Sequence, residues 1–167
     1  VDRETDVDTA VTGVRLSAFG FQGQKCSACS RAIVDAAIYD EFVEKLGRQV
    51  REIRQGPAED PDNYMGPVSS ERAFRTIISY IEKGREEGRL IAGGEGDDST
   101  GYFIQPTVIA DVAPEATISR EEIFGPVLAV LKARDFDHAL EIANNTEFGL
   151  TGAVYTDNEV KLERARR

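Results

Sequence analysis

Apolar residues recur at helical spacing from the start of the chain. Val7, Ala10, Val11, Val14 and Ala18 fall on one stripe, which predicts a helix over residues 6–19 with Asp6 as its N-cap. Residues 31–34 (Arg-Ala-Ile-Val) suit a short buried strand. A second helix is predicted from Asp40, with Phe42, Val43, Leu46, Val50 and Ile53 inward, closed by Gly56-Pro57. Residues 56–68 are polar and hold three prolines, so they read as a loop. Ser69 or Ser70 caps a third helix with the stripe Phe74, Ile77, Ile78 and Ile81, its end loosened by Gly84 and Gly88. Leu90–Ala92 predicts a short strand, followed by a Gly/Asp-rich turn over 93–101. Phe103–Ile109 predicts a strand that Pro106 pushes to a sheet edge or a bulge. Val127–Leu131 is apolar throughout, as in a strand covered on both faces. Asp135 opens a helix to Asn145 with Ala139, Leu140 and Ala143 inward. Gly152–Thr156 predicts a strand, and Asp157 caps a last helix running to Arg167.

Helices alternating with short strands argue an α/β layered domain, with a mostly parallel sheet flanked by helices. There is no internal repeat. The last helix lacks a C-cap glycine and a closing strand, and the first begins almost at residue 1. The expectation is therefore one partial domain over 1–167, cut from a longer protein.

Composition narrows the function. With 167 residues, 41% of them hydrophobic and 30% charged, the chain is long and apolar enough to bury a core, which argues against disorder. The net charge of −10, with one dense basic cluster at Glu163–Arg167, speaks against nucleic-acid binding; that cluster suits a solvated helix end. No apolar run reaches membrane-spanning length, and residues 1–20 carry early acids and no signal-peptide core. A cytoplasmic protein with no membrane partner is expected.

Both cysteines lie in FGFQGQKCSACSR, as Cys26 and Cys29. A structural zinc site needs about four ligands. The chain offers these two and one histidine, His138, set in a helical pattern. A Cys-x-x-Cys redox pair fits the spacing, though Gly23-Gln-Lys25 is unlike the usual turn of that kind. An inert buried pair fits too. The last option is one nucleophilic thiol, with Lys25 raising the local potential, glycines at 20 and 23 admitting a substrate, and backbone N–H groups near a developing oxyanion.

The stretch Phe19-x-x-x-Gly23-Gln24-x-Cys26 followed by Ser30-Arg31 resembles the cysteine signature of the aldehyde dehydrogenase superfamily. Further matches follow in order: Gly101-Tyr-Phe-Ile-Gln-Pro-Thr-Val108, Glu122-x-Phe124-Gly125-Pro126, and Asn144-Asn-Thr-Glu-Phe-Gly-Leu150. The resemblance covers essentially the whole chain. It implies that Cys26 is the nucleophile and that Cys29 only packs. It implies that Glu122 holds the ribose hydroxyls of NAD or NADP and that Phe124 lies beside the nicotinamide. Within the superfamily, GQKCSACSR is similar to the branch oxidising L-glutamate γ-semialdehyde, the open form of 1-pyrroline-5-carboxylate, to L-glutamate in proline degradation. In that branch the residue at Ser27 binds the substrate's α-carboxylate.

The same resemblance implies a catalytic domain without its cofactor-binding Rossmann half, general-base glutamate, oxyanion asparagine, carboxylate-anchoring loop and oligomerisation flap. The small-molecule aldehyde and most of the cofactor contacts would then be completed elsewhere in a homo-oligomeric parent. The segment alone is expected to be inactive, and to expose apolar surface where the cofactor domain docks. The competing readings are a dehydrogenase for another semialdehyde and a non-catalytic binding module derived from the family.

Overall fold

Asp6 starts α1 (Val7–Phe19) by accepting the Thr9 N–H at 2.6 Å, which satisfies one orphan donor of the first turn. The computed structural model describes residues 1–166; Arg167, the predicted end of the last helix, lies outside the described residues. After a tight turn over 20–23 come β1 (Arg31–Asp35), α2 (Tyr39–Arg51), α3 (Glu71–Glu87) and β2 (Arg89–Ala92). A small hairpin of β3 (Gly96–Asp97) and β4 (Phe103–Ile104) precedes β5 (Thr107–Ala110). The chain continues through α4 (Thr117–Arg120), β6 (Val127–Ala133), α5 (Phe136–Asn144) and α6 (Glu159–Ala165).

The main sheet has the order β1-β6-β5-β2. β6 pairs parallel with β1 and with β5, while β2 runs antiparallel on β5, so the predicted mostly parallel sheet is present. Alternate strand residues feed two cores. Val34, Val108, Leu128 and Val130 face α1 and α2, packing with Val11, Val14, Phe42 and Leu46. Ile109, Val127, Ala129 and Leu131 face α3, α4 and α5, packing with Ile77, Ile81, Ile118 and Ile142. This two-sided burial explains why β6 is apolar at consecutive positions.

Several boundaries differ from the sequence expectation, each for a physical reason. α2 begins at Tyr39 rather than Asp40, because Tyr39 is a core residue. Its hydroxyl accepts the Asp111 N–H at 2.7 Å and donates to the Val130 carbonyl at 3.3 Å. Ser70 is the cap of α3, accepting from Ala73 N–H at 3.2 Å, and the helix runs on through Gly84. Gly84 does not loosen this helix; its missing side chain makes room for Ile109 and Ile118. Pro106 neither edges nor bulges one long strand. It splits the run into β4 and β5, and β5 lies inside the sheet. In α5, Asp135 caps as expected, but Ile142 is the buried residue and Ala143 is exposed.

Residues 152–156 form no strand. They run beside residues 1–4 with irregular bonds, Asp2 N–H to the Tyr155 carbonyl at 3.0 Å and Asp157 N–H to the Glu4 carbonyl at 2.6 Å. Asn158, not Asp157, caps α6 by accepting from the Val160 and Lys161 N–H groups. Lys161 then reaches back to the buried Asp2 at 2.8 Å and to Glu4 at 2.7 Å, tying α6 to the start of the chain. No helix among the described residues is long and apolar enough to cross a membrane.

Candidate active site

The cysteine turn grows out of the C-terminus of α1. Gly20 closes the helix by donating to the Leu16 carbonyl, and the chain then takes three consecutive left-handed residues: Phe21 (φ 59°), Gln22 (φ 58°) and Gly23 (φ 67°). Two of these are not glycine, a conformation that costs of order 1 kcal/mol each and tends to persist at functional sites. Side-chain bonds hold it in place. Gln22 Nε2 donates to the Pro67 carbonyl at 3.1 Å, and Gln24 Oε1 accepts the Ser69 N–H at 2.9 Å. Both glutamines therefore fasten the turn to the segment entering α3.

Lys25–Ala28 forms a turn, closed by the Ala28 N–H to the Lys25 carbonyl at 3.1 Å. At its tip Cys26 and Ser27 are exposed. Their backbone N–H groups donate to no acceptor among the described residues. Cys29 has a different environment. Its N–H donates to Ser17, its thiol donates to the Arg31 carbonyl at 3.4 Å, and its side chain packs against the α1–α2 core. Burial pushes the Cys29 thiol up to about 11. Both thiols are free. His138 sits apart on α5, its Nδ1 accepting the Arg134 N–H at 3.1 Å.

This difference gives a direct test. Treating the folded chain with excess iodoacetamide at pH 8 should add one label, on Cys26, because the Cys29 thiolate is scarce below its raised pKa of about 11. Unfolding in urea should release a second label. Peptide mass mapping that finds Cys29 modified in the folded chain would contradict this assignment.

The second half of the site is the loop between α4 and β6. Ile123 is buried and Gly125 lies over Ile77: a Cβ on Gly125 would sit 2.5 Å from Ile77 Cδ1. Between these anchors Phe124 is left-handed (φ 54°) and 44% exposed. Glu122 is exposed and forms no hydrogen bond or ion pair among the described residues, so its carboxylate is available to hydroxyl donors. Thr107 N–H donates to the Pro126 carbonyl at 2.9 Å, joining the loop to β5.

The two halves meet at glycines. Any side chain on Gly23 would collide with the Gly125 carbonyl oxygen, so the cysteine turn and the Glu122–Phe124 loop are in backbone contact. Phe21, 74% exposed, and Phe124 add open apolar surface on these two segments. A groove of about 720 Å³ elsewhere is lined by residues such as Pro57, Asp97 and Phe103, and includes no predicted site residue. Its size does not outweigh the chemistry gathered around Cys26. The resemblance to the aldehyde dehydrogenase superfamily points to Cys26, Ser27, Glu122 and Phe124; it gives no sign of Gln22 and Gln24 as the struts of the turn.

Residues 1–167 match the model of the aldehyde dehydrogenase family. The chain belongs to the aldehyde dehydrogenase family. The whole chain is 60% identical to 1-pyrroline-5-carboxylate dehydrogenase 1 of Halalkalibacterium halodurans, and 99% of it is 57% identical to 1-pyrroline-5-carboxylate dehydrogenase of Bacillus subtilis. It covers 32% of each of those proteins. A crystal structure of 1-pyrroline-5-carboxylate dehydrogenase from Thermus with bound NAD superposes with a TM-score of 0.96 at 48% identity, covering 99% of this chain and 32% of that one. This aldehyde dehydrogenase segment thus spans about a third of the length of the relatives it matches.

Proposed function

We propose that the segment carries the nucleophile and the cofactor-facing loop of an NAD- or NADP-dependent dehydrogenase that oxidises L-glutamate γ-semialdehyde to L-glutamate. The observation that carries this reading is the backbone contact of Gly23 with Gly125. It joins the turn bearing an exposed thiol, whose neighbouring N–H groups donate to no acceptor among the described residues, to a loop with an exposed ring and a carboxylate that has no partner among the described residues. The names of the relatives support the substrate.

In this reading the Cys26 thiol loses its proton to water, its sulfur bonds to the aldehyde carbon, and the carbonyl π pair moves to oxygen. The Cys26 N–H donates to that oxyanion. A bound dinucleotide supplies the hydride acceptor. Departure of the hydride leaves an acyl thioester on Cys26, and water releases the acid with a general base from another part of the protein. Glu122 would accept hydrogen bonds from the ribose hydroxyls of such a dinucleotide, and the Phe124 ring would border its nicotinamide. Ser27 donates to the substrate's α-carboxylate. The remaining two thirds of the protein, a cofactor domain among them, cover the exposed aromatic residues. Two free thiols suit a reducing cytoplasm.

Replacing Ser27 with alanine in the full-length enzyme tests the substrate assignment. KM for L-glutamate γ-semialdehyde should rise about tenfold, the effect of one lost hydrogen bond to a charged group. KM for propanal, which has no carboxylate, should stay put. Equal changes for the two aldehydes would point to another substrate.

A further inference from the structure

The Glu122 loop rests on one face of α3. Ile77, Tyr80, Gly84 and Glu87 are spaced three or four apart, so they line one side of the helix. Each meets part of residues 117–125. Glu87 accepts the Thr117 and Ile118 N–H groups at 2.8 and 3.0 Å, capping α4 from outside. Gly84 leaves room for the Ile118 side chain, and Ile77 lies under Gly125. Between these, the Tyr80 hydroxyl donates to Glu121 Oε2 at 2.6 Å, and Lys83 Nζ lies 5.2 Å from the centre of the Tyr80 ring.

Glu121 and Glu122 are adjacent carboxylates. Glu121 has extended backbone (φ −98°, ψ 149°), and Tyr80 holds its carboxylate against α3. Glu122, the next residue, is exposed and forms no hydrogen bond or ion pair among the described residues, so the anchored Glu121 fixes the backbone from which Glu122 projects. The bond to Glu121 also holds the Tyr80 pKa above its ordinary value.

We propose that Tyr80 is a positioning residue for the cofactor: by holding Glu121 it fixes the backbone from which Glu122 is presented. This rests on the reading that Glu122 binds the dinucleotide ribose. Tyr80 acts through Glu121 and Glu122 and touches no reacting atom.

The test uses the full-length enzyme with NAD as the titrated probe. Tyr80→Phe removes one oxygen and keeps the ring. It should weaken NAD binding about fivefold, as expected for an exposed bond to a charged group, with the aldehyde KM and the melting temperature unchanged. Glu121→Gln should act in the same direction. The decisive comparison is made in the Glu122→Gln background. There Tyr80→Phe should add nothing, since the residue it positions has already been altered. If Glu122→Gln weakens NAD binding while Tyr80→Phe does not, or if the two effects simply add, the positioning role is overturned and the ribose reading stands. If Glu122→Gln leaves NAD affinity unchanged, the ribose reading fails and takes the positioning role with it.

Discussion

Cys26→Ala in the full-length enzyme should lower kcat for aldehyde oxidation by about 10⁴-fold or more, the scale seen when a covalent nucleophile is removed. The melting temperature should hardly move, because Cys26 is exposed and contributes nothing to either core. Cys29→Ala should do the reverse. Its thiol packs against the α1–α2 core and bonds Arg31, so its loss should cost about 1 kcal/mol of stability and leave kcat within about twofold. Paired initial-rate and thermal-unfolding measurements separate the two. If Cys29→Ala abolished turnover and Cys26→Ala did not, the roles would be exchanged.

Gly23→Ala carries the second large effect. Gly23 has φ 67°, where alanine is strained, and its Cβ would strike a backbone oxygen of Gly125 that no rotamer change can move. Relief requires the cysteine turn and the Glu122–Phe124 loop to separate. A displacement of about 1 Å between reacting groups is enough to cost about 100-fold in rate. kcat/KM should therefore fall about 100-fold. Steady-state kinetics on the variant checks this, and a Gly23→Ala enzyme with normal kcat/KM would show that the contact does not set the geometry.

What the sequence made legible follows from the range of each interaction. Asp6, Ser70 and Asp135 were readable as caps because each bonds an N–H three residues on. The consecutive apolar residues of β6 announced a strand buried on both sides, since the burial falls on that strand's own residues. The Cys26 and Glu122 signatures were legible through the family resemblance, although bare spacing left several thiol chemistries open. Longer-range effects stayed hidden. Asn158 rather than Asp157 caps α6, and the Asp157 N–H bonds Glu4, at the other end of the chain. Residues 152–156 have strand-like composition, but their neighbour, residues 1–4, offers only irregular bonding. Gln22, Gln24 and Tyr80 act across 41 to 45 residues of chain, a separation at which periodicity carries no signal. The separation of the two thiols likewise depends on packing. Cys26 and Cys29 share a motif, yet one crowns a turn and the other packs against the core of α1 and α2.

The most direct test of the central claim is to trap the acyl-enzyme. The full-length enzyme is mixed with L-glutamate γ-semialdehyde and NAD, quenched in acid within milliseconds, digested and mapped by mass spectrometry. The account predicts a glutamyl thioester on the peptide containing Cys26, localised by fragmentation to that residue, and none in the Cys26→Ala enzyme. A thioester on Cys29, or rapid turnover with no acylated cysteine at any quench time, would contradict it.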